Sequence, residues 1–236
     1  MNEQHIQSAY DRDLEALQAQ IMKMGGLVEA AINNAAKSLE TRDEELAAEV
    51  VKADKAIDAL EELINQEAAR VIALRAPTAG DLRVVLTIIK VSTALERIGD
   101  YAKNIAKRTS VLITMPAIEE APSALRRMGK TVEIMLKDAL DSYIHRDAEL
   151  AGDVIERDLD VDQMYNALFR EFLTFMMEDA RQISPCMHLH FIAKNVERMG
   201  DLVTAIAEQV VYLVTGEMPD EQRPKGDVTS TALTEE

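Results

Sequence analysis

Apolar residues recur along this chain at spacings of three and four, the repeat of a helix face rather than of a strand. Leu60, Leu63, Ile64, Val71 and Leu74 form one such stripe, with a polar interruption at Glu67. Ile105, and later Val196, Met199, Val203 and Ile206, belong to similar stripes. The breaks between stripes carry start and stop chemistry. A first helix runs from about Ser8 to Glu40, with Ser8 and Asp11 suited to a capping box. A second begins near Thr41-Arg42-Asp43-Glu44, a Thr-x-x-Glu signal, and ends before Pro77. A third opens at Thr78, with Asp81 three residues on, and stops at Pro116. Pro122 opens a fourth and Asp147 suits the cap of a fifth. Ser184-Pro185 supplies a cap and a first-turn proline for the sixth, which Gly216 terminates.

The pattern occurs twice. Glu96-Arg97-Ile98-Gly99-Asp100 returns as Glu197-Arg198-Met199-Gly200-Asp201, 101 residues later. At an offset of 104, Met24-Gly25 matches Met128-Gly129, Arg42-Asp43 matches Arg146-Asp147, and Asp54 and Asp58 match Asp158 and Asp162. Such a register marks an internal duplication. Three long helices with short connections give an up-down-up bundle. The chain is therefore expected to be all-α, a tandem repeat of two three-helix bundles. Residues 8–115 form the first bundle, 121–216 the second, and 217–236 a flexible tail. The tail is assigned from Pro219, Pro224, Gly226 and a run of Thr and Ser with few apolar residues.

Composition narrows the function. Helix formers dominate, Trp is absent, and the net charge is −16. That charge argues against nucleic acid, whose phosphates need a basic footprint, and against adsorption to anionic lipid. The single cysteine, Cys186, permits no disulfide within the chain and reads as a small buried hydrophobe. The N-terminus lacks the pattern of a signal peptide, and no run of 18 apolar residues exists. A soluble cytoplasmic protein without direct membrane insertion is the expectation.

Each Glu-Arg-x-Gly-Asp motif sets two carboxylates four residues apart on one helix face, where like charges repel unless compensated. Glu96, Asp100 and Asn104 form one oxygen-bearing stripe, and Asp54, Asp58 and Glu62 have the same spacing on the preceding helix. The second repeat carries Asp158, Asp162 and Asn166, then Glu197 and Asp201. If these helices face each other, each bundle presents four carboxylates. Oxygen ligands without Cys or His suit Mg²⁺, Mn²⁺, Ca²⁺ or iron better than zinc or copper. The alternative is ordinary ion pairing, with Arg97 and Arg198 available to bridge to a neighbouring helix. None of the four histidines follows a Glu by three, so the Glu-x-x-His signature of di-iron bundles is missing. The Met residues, including Met176-Met177, read as core filler.

These motifs resemble those of the PhoU family, bacterial phosphate-uptake regulators. The resemblance extends from about residue 8 to 216 and is carried by Met24-Gly25-Gly26, Pro77-Thr78-Ala79-Gly80-Asp81-Leu82-Arg83, Leu95–Asp100, Phe175-Met176-Met177-Glu178-Asp179 and Val196–Asp201. It implies two three-helix bundles and carboxylate-bound metal ions (Mg, Mn, Fe or Zn), with multinuclear iron or zinc clusters in some members. By resemblance the metal ligands are Asp54, Asp58, Glu96 and Asp100 in the first bundle and Asp158, Asp162, Glu197 and Asp201 in the second. It also implies a homodimer that represses the phosphate-starvation response and restrains high-affinity phosphate uptake. The implied partners are a sensor histidine kinase and the ATPase subunit of the phosphate ABC transporter. Ala205 stands where the first repeat has Asn104, so the second site is expected to be the weaker. A metal-dependent phosphoester hydrolase and a metal-free helical scaffold are the competing functions.

Overall fold

In the computed structural model, residues 2–219 are described, with side chains from residue 9 onward. Six long helices follow one another: α1 Asn2–Thr41, α2 Glu44–Arg75, α3 Ala79–Leu112, α4 Ala121–His145, α5 Ala148–Glu178 and α6 Ile183–Thr215. No strand occurs among the described residues. The expected tail falls mostly at 220–236, outside the described residues.

The corner between α1 and α2 shows how the sequence turns the chain. Arg42 takes a left-handed conformation, φ 53, and Asp43 N–H reaches back 2.9 Å to the Ser38 carbonyl. Asp43 then caps α2 by accepting from Leu46 N–H at 2.9 Å. The second repeat copies this corner. Arg146 has φ 53, Asp147 N–H bonds Ser142 O at 2.9 Å, and Asp147 caps α5. Arg42 does more than turn: its guanidinium donates to the carbonyls of Leu112, Ile113 and Met115 at the end of α3.

Three expected boundaries move. Thr41 closes α1, donating to the Lys37 carbonyl at 2.9 Å, so the expected Thr-x-x-Glu cap yields to Asp43. Ser8 lies inside α1, which begins at Asn2. A 3₁₀ turn over Ala180–Gln182 runs directly into α6, leaving Ser184 and Pro185 within that helix instead of at its cap. Asp179 initiates this turn by accepting from Arg181 N–H at 2.9 Å.

α1, α2 and α3 pack on one another, as do α4, α5 and α6. The bundles join through α1 against α4 and α3 against α6. Four helices thus form a central layer, and α2 and α5 lie outside it on opposite sides. One continuous apolar core runs through both bundles, from Leu17, Ile21 and Met24 to Val203, Ile206 and Val210. No helix among the described residues is long and apolar enough to cross a membrane.

Two acidic seams as the candidate functional site

In the first bundle the site lies between α2 and α3. Gly99 sets the approach of these helices: a Cβ there would stand 3.0 Å from Ile57 Cδ1 and 3.7 Å from Asp54 Oδ1. Asp54 is 5% exposed. Lys103 lies against it, its Nζ 2.5 Å from Asp54 Oδ2 and 2.5 Å from Asp100 Oδ1. The ammonium therefore ties α2 to α3. Burial opposes its charge, but the bonds to Asp100 and Asp54 outweigh burial and hold Lys103 above its usual pKa.

The remaining acids feel the same field. Burial raises the Glu96 carboxyl, with Asp100, Glu61 and Asp58 adding to the effect. Burial likewise raises Asp58, helped by Asp54 and later Asp100 and Glu61, against Lys103. The four carboxylates expected in this bundle thus share one field, with Asp54 buried, Glu96 and Asp100 half-buried and Asp58 exposed at the rim. The fifth is Glu61, not the expected Glu62. Glu61 accepts from Thr93 Oγ1 at 3.3 Å and from Asn65 Nδ2 at 2.8 Å, whereas Glu62 is exposed. Asn104, assigned to the stripe from spacing, is also exposed. Lys103 occupies that direction instead.

The second seam lies between α5 and α6. Gly200 is tighter than its counterpart: a Cβ there would stand 2.9 Å from Asp158 Oδ1 and 3.3 Å from Val161 Cγ1. Asp158, Asp162 and Glu197 are all buried and Asp201 is half-buried. Lys194 donates to Glu197 Oε1 at 2.7 Å and stands 4.9 Å from the centre of the Tyr165 ring. Tyr165 and Phe169 flank His190, with ring centroids 6.0 and 5.5 Å away.

Sequence spacing named eight of the acids and missed Glu61 and the lysines. The arginines it offered as bridges, Arg97 and Arg198, are exposed. The available signal was Lys103 three residues after Asp100, and Lys194 three residues before Glu197. In repeat register the lysines exchange with threonines: Lys103 corresponds to Thr204, and Lys194 to Thr93. Glu61 corresponds to Tyr165, so each seam pairs its α3 or α6 residue with a matching partner on the outer helix: Thr93 with Glu61, Lys194 with Tyr165.

Among the described residues no three Asp, Glu, His or Cys side chains are arranged as a metal-holding group. The chemistry of the first seam nevertheless fits a hard cation. Its donors are all oxygens, and Asp54 Oδ1 is buried without a hydrogen-bond donor. Cys186, buried and with its thiol pKa raised by that burial, lies outside either seam's acid set.

Fold and site together define a class: a tandem of three-helix bundles, each with carboxylates from its second and third helices gathered along a glycine-spaced seam. The comparisons with known proteins agree with this class. The model of the PhoU domain matches residues 21–109 and 125–210. A phosphate-specific transport system accessory protein PhoU homolog from Zymomonas mobilis is 49% identical, covering 94% of this chain and 93% of its own. The homolog of that name from Rhizobium meliloti is 42% identical, covering 98% of each chain. The crystal structure of PhoU from Pseudomonas aeruginosa superposes with a TM-score of 0.85 at 38% identity, over 88% of this chain and all of that one. This chain belongs to the PhoU family.

Proposed function

We propose that this protein is a regulatory accessory of phosphate transport that works by docking. In this reading it is a negative regulator of the phosphate-starvation response and of high-affinity uptake. It acts in the cytoplasm as a homodimer, between a sensor histidine kinase and the ATPase subunit of the phosphate ABC transporter. The observation that carries the reading is the family match, which spans both repeats in relatives named as accessory proteins of phosphate-specific transport. A solved relative from Streptococcus pneumoniae, 32% identical with a TM-score of 0.82, is described as a phosphate transport system regulatory protein.

Metal ions belong to the same proposal. Asp54, Asp58, Glu96 and Asp100 would hold a cation in the first seam; Asp158, Asp162, Glu197 and Asp201 would hold one in the second. A divalent ion there would neutralise the carboxylates of the seam and cross-link its two helices. The net charge of −16 favours basic patches on the partners, so contacts at the rim weaken with added salt.

The test is a deletion strain grown in phosphate-rich medium. Phosphate-starvation genes should stay on, and repression should return only with a protein able to form a direct complex with the kinase or the ATPase. Normal repression in the deletion strain overturns the regulatory reading. Repression that tracks phosphoester turnover without any complex overturns the docking part.

A further inference from the structure

We propose that Lys103 is the resident cation of the first seam, and that a divalent metal ion enters this seam only by displacing its ammonium. The inference rests on the metal reading of the seams above and goes beyond it by naming the residue that controls occupancy.

The first support is position. The Lys103 ammonium bridges Asp54 on α2 and Asp100 on α3, the two helices a metal ion would have to join. Its carboxylate partners are two of the ligands such an ion would use. Ammonium and metal therefore exclude each other by charge and by space.

The second support is incomplete compensation. One ammonium stands among the carboxylates of this seam and bonds two of them, Asp54 and Asp100. Asp54 Oδ1, in a side chain only 6% exposed, lacks a hydrogen-bond donor although Oδ2 is bonded. The lysine fills the seam without satisfying it, and a doubly charged ion has more to gain there.

The third support is freedom to leave. The Lys103 side chain is 21% exposed and Asp100 beside it is 42% exposed, so the seam opens to solvent on the side from which Lys103 enters. A flexible four-carbon stem can swing the ammonium into water. While it is in place its tether gives it a high local concentration, which a free ion must overcome.

The second seam supplies an internal control. Thr204 stands at the position of Lys103, and Thr204 Oγ1 donates to the Gly200 carbonyl at 3.0 Å within its own helix. The lysine of that seam, Lys194, comes from the opposite end and engages Glu197 and the Tyr165 ring. The two seams therefore differ in where their lysine is attached, and Thr204 marks the position at which a Lys103-like ammonium can be introduced into the second.

The test uses the full chain, stripped of metal by a chelator, and Mn²⁺ as the probe, followed by calorimetry and by the electron spin resonance of bound ion. Variants in which Glu197 and Asp201 become Gln and Asn isolate the first seam. There Lys103→Met should bind Mn²⁺ at least about tenfold more tightly than the parent, and Mn²⁺ should raise its melting temperature more. Lys103→Arg, which keeps a cation, should behave as the parent. Thr204→Lys, made in the otherwise unchanged chain, should weaken Mn²⁺ binding at the second seam, and this variant does not depend on Lys103→Met folding. Equal Mn²⁺ affinity with and without Lys103 overturns the proposal and leaves the metal reading standing. Absence of Mn²⁺ binding at either seam in every variant overturns both. Neither result bears on the regulatory reading, which the deletion strain tests separately.

Discussion

The two seams descend from one sequence and solve one problem differently. Both bury carboxylates beside a glycine, and both place a lysine among them. In the first seam the lysine follows the Glu-Arg-x-Gly-Asp motif and bridges Asp54 and Asp100; in the second it precedes the motif and engages Glu197 and Tyr165. Burial differs as well. Asp158, Asp162 and Glu197 are buried in the second seam, whereas Asp54 alone among the expected acids is buried in the first. A duplicated bundle can therefore keep its acids and shift its counter-charge by three helical turns, because any position near the seam within reach of a carboxylate lowers the same repulsion. The constraint lies on the charge and leaves the attachment point free.

The sharpest way to break this comparison is to remove the first lysine. Lys103→Thr, which copies the second repeat, leaves Asp54 buried and unpaired and should cost about 3 kcal/mol in urea unfolding of metal-free protein. Adding Thr93→Lys copies the second repeat's lysine position and should recover about half of that loss, because residue 93 lies opposite Glu61 and three residues before Glu96. A double variant no more stable than Lys103→Thr would show that the two lysine positions are not interchangeable.

Smaller effects sharpen the comparison further. Gly200→Ala should cost about 2 kcal/mol, since the new methyl meets both the Asp158 carboxylate and Val161. Gly99→Ala should be close to neutral: its nearest contact is the movable Ile57 Cδ1, and alanine gains about 1 kcal/mol of helix propensity. Paired thermal melts check the difference, and equal losses would mean that the seams are equally tight.

The corners should differ next. Arg42→Ala forfeits the bonds to the end of α3 and should cost about 1 kcal/mol. Arg146→Ala, at the matching corner, loses no carbonyl cap of this kind and should cost less in the same unfolding experiment.

The smallest effect concerns Glu96. Its carboxyl is held above its ordinary range by burial and then by Asp100, Glu61 and Asp58. Such a group contributes stability below its unfolded pKa and loses it as pH rises through the folded value. Glu96→Gln should therefore raise the unfolding midpoint at pH 7 and match the parent at about pH 3, where the glutamate is protonated in both states. A variant less stable than the parent at neutral pH would assign Glu96 a favourable partner in the first seam.

How much of this was legible in the sequence depended on scale. The helices, their order and the duplication followed from apolar spacing and from repeated dipeptides such as Arg42-Asp43 and Arg146-Asp147. Glu96, Asp100, Glu197 and Asp201 followed from the doubled motif, and Asp54, Asp58, Asp158 and Asp162 from acid spacing in repeat register, whereas Glu61 did not. Cap assignments slipped by a few residues where two candidates stood side by side: Asp43 displaced Thr41, and the turn at Ala180–Gln182 displaced Ser184. In each case a nearby Asp accepted the free backbone N–H groups first.

Within the first seam, sequence fell short for a geometric reason. Extending a stripe by fours from Asp54 through Asp58 reaches Glu62, and from Glu96 through Asp100 reaches Asn104. Each helical residue turns about 100°, so eight residues overshoot the starting direction by about 80° while seven fall short by only about 20°. Glu61 therefore faces α3, and Glu62 and Asn104 face solvent. The amino-acid order alone determined which helices form, that they form twice, and that acids line one face of each. Only the packing of α2 on α3 and of α5 on α6 decided which acids meet and which lysine reaches them, because those contacts depend on helix rotation and on the close approach at Gly99 and Gly200, to which residues from different helices contribute together.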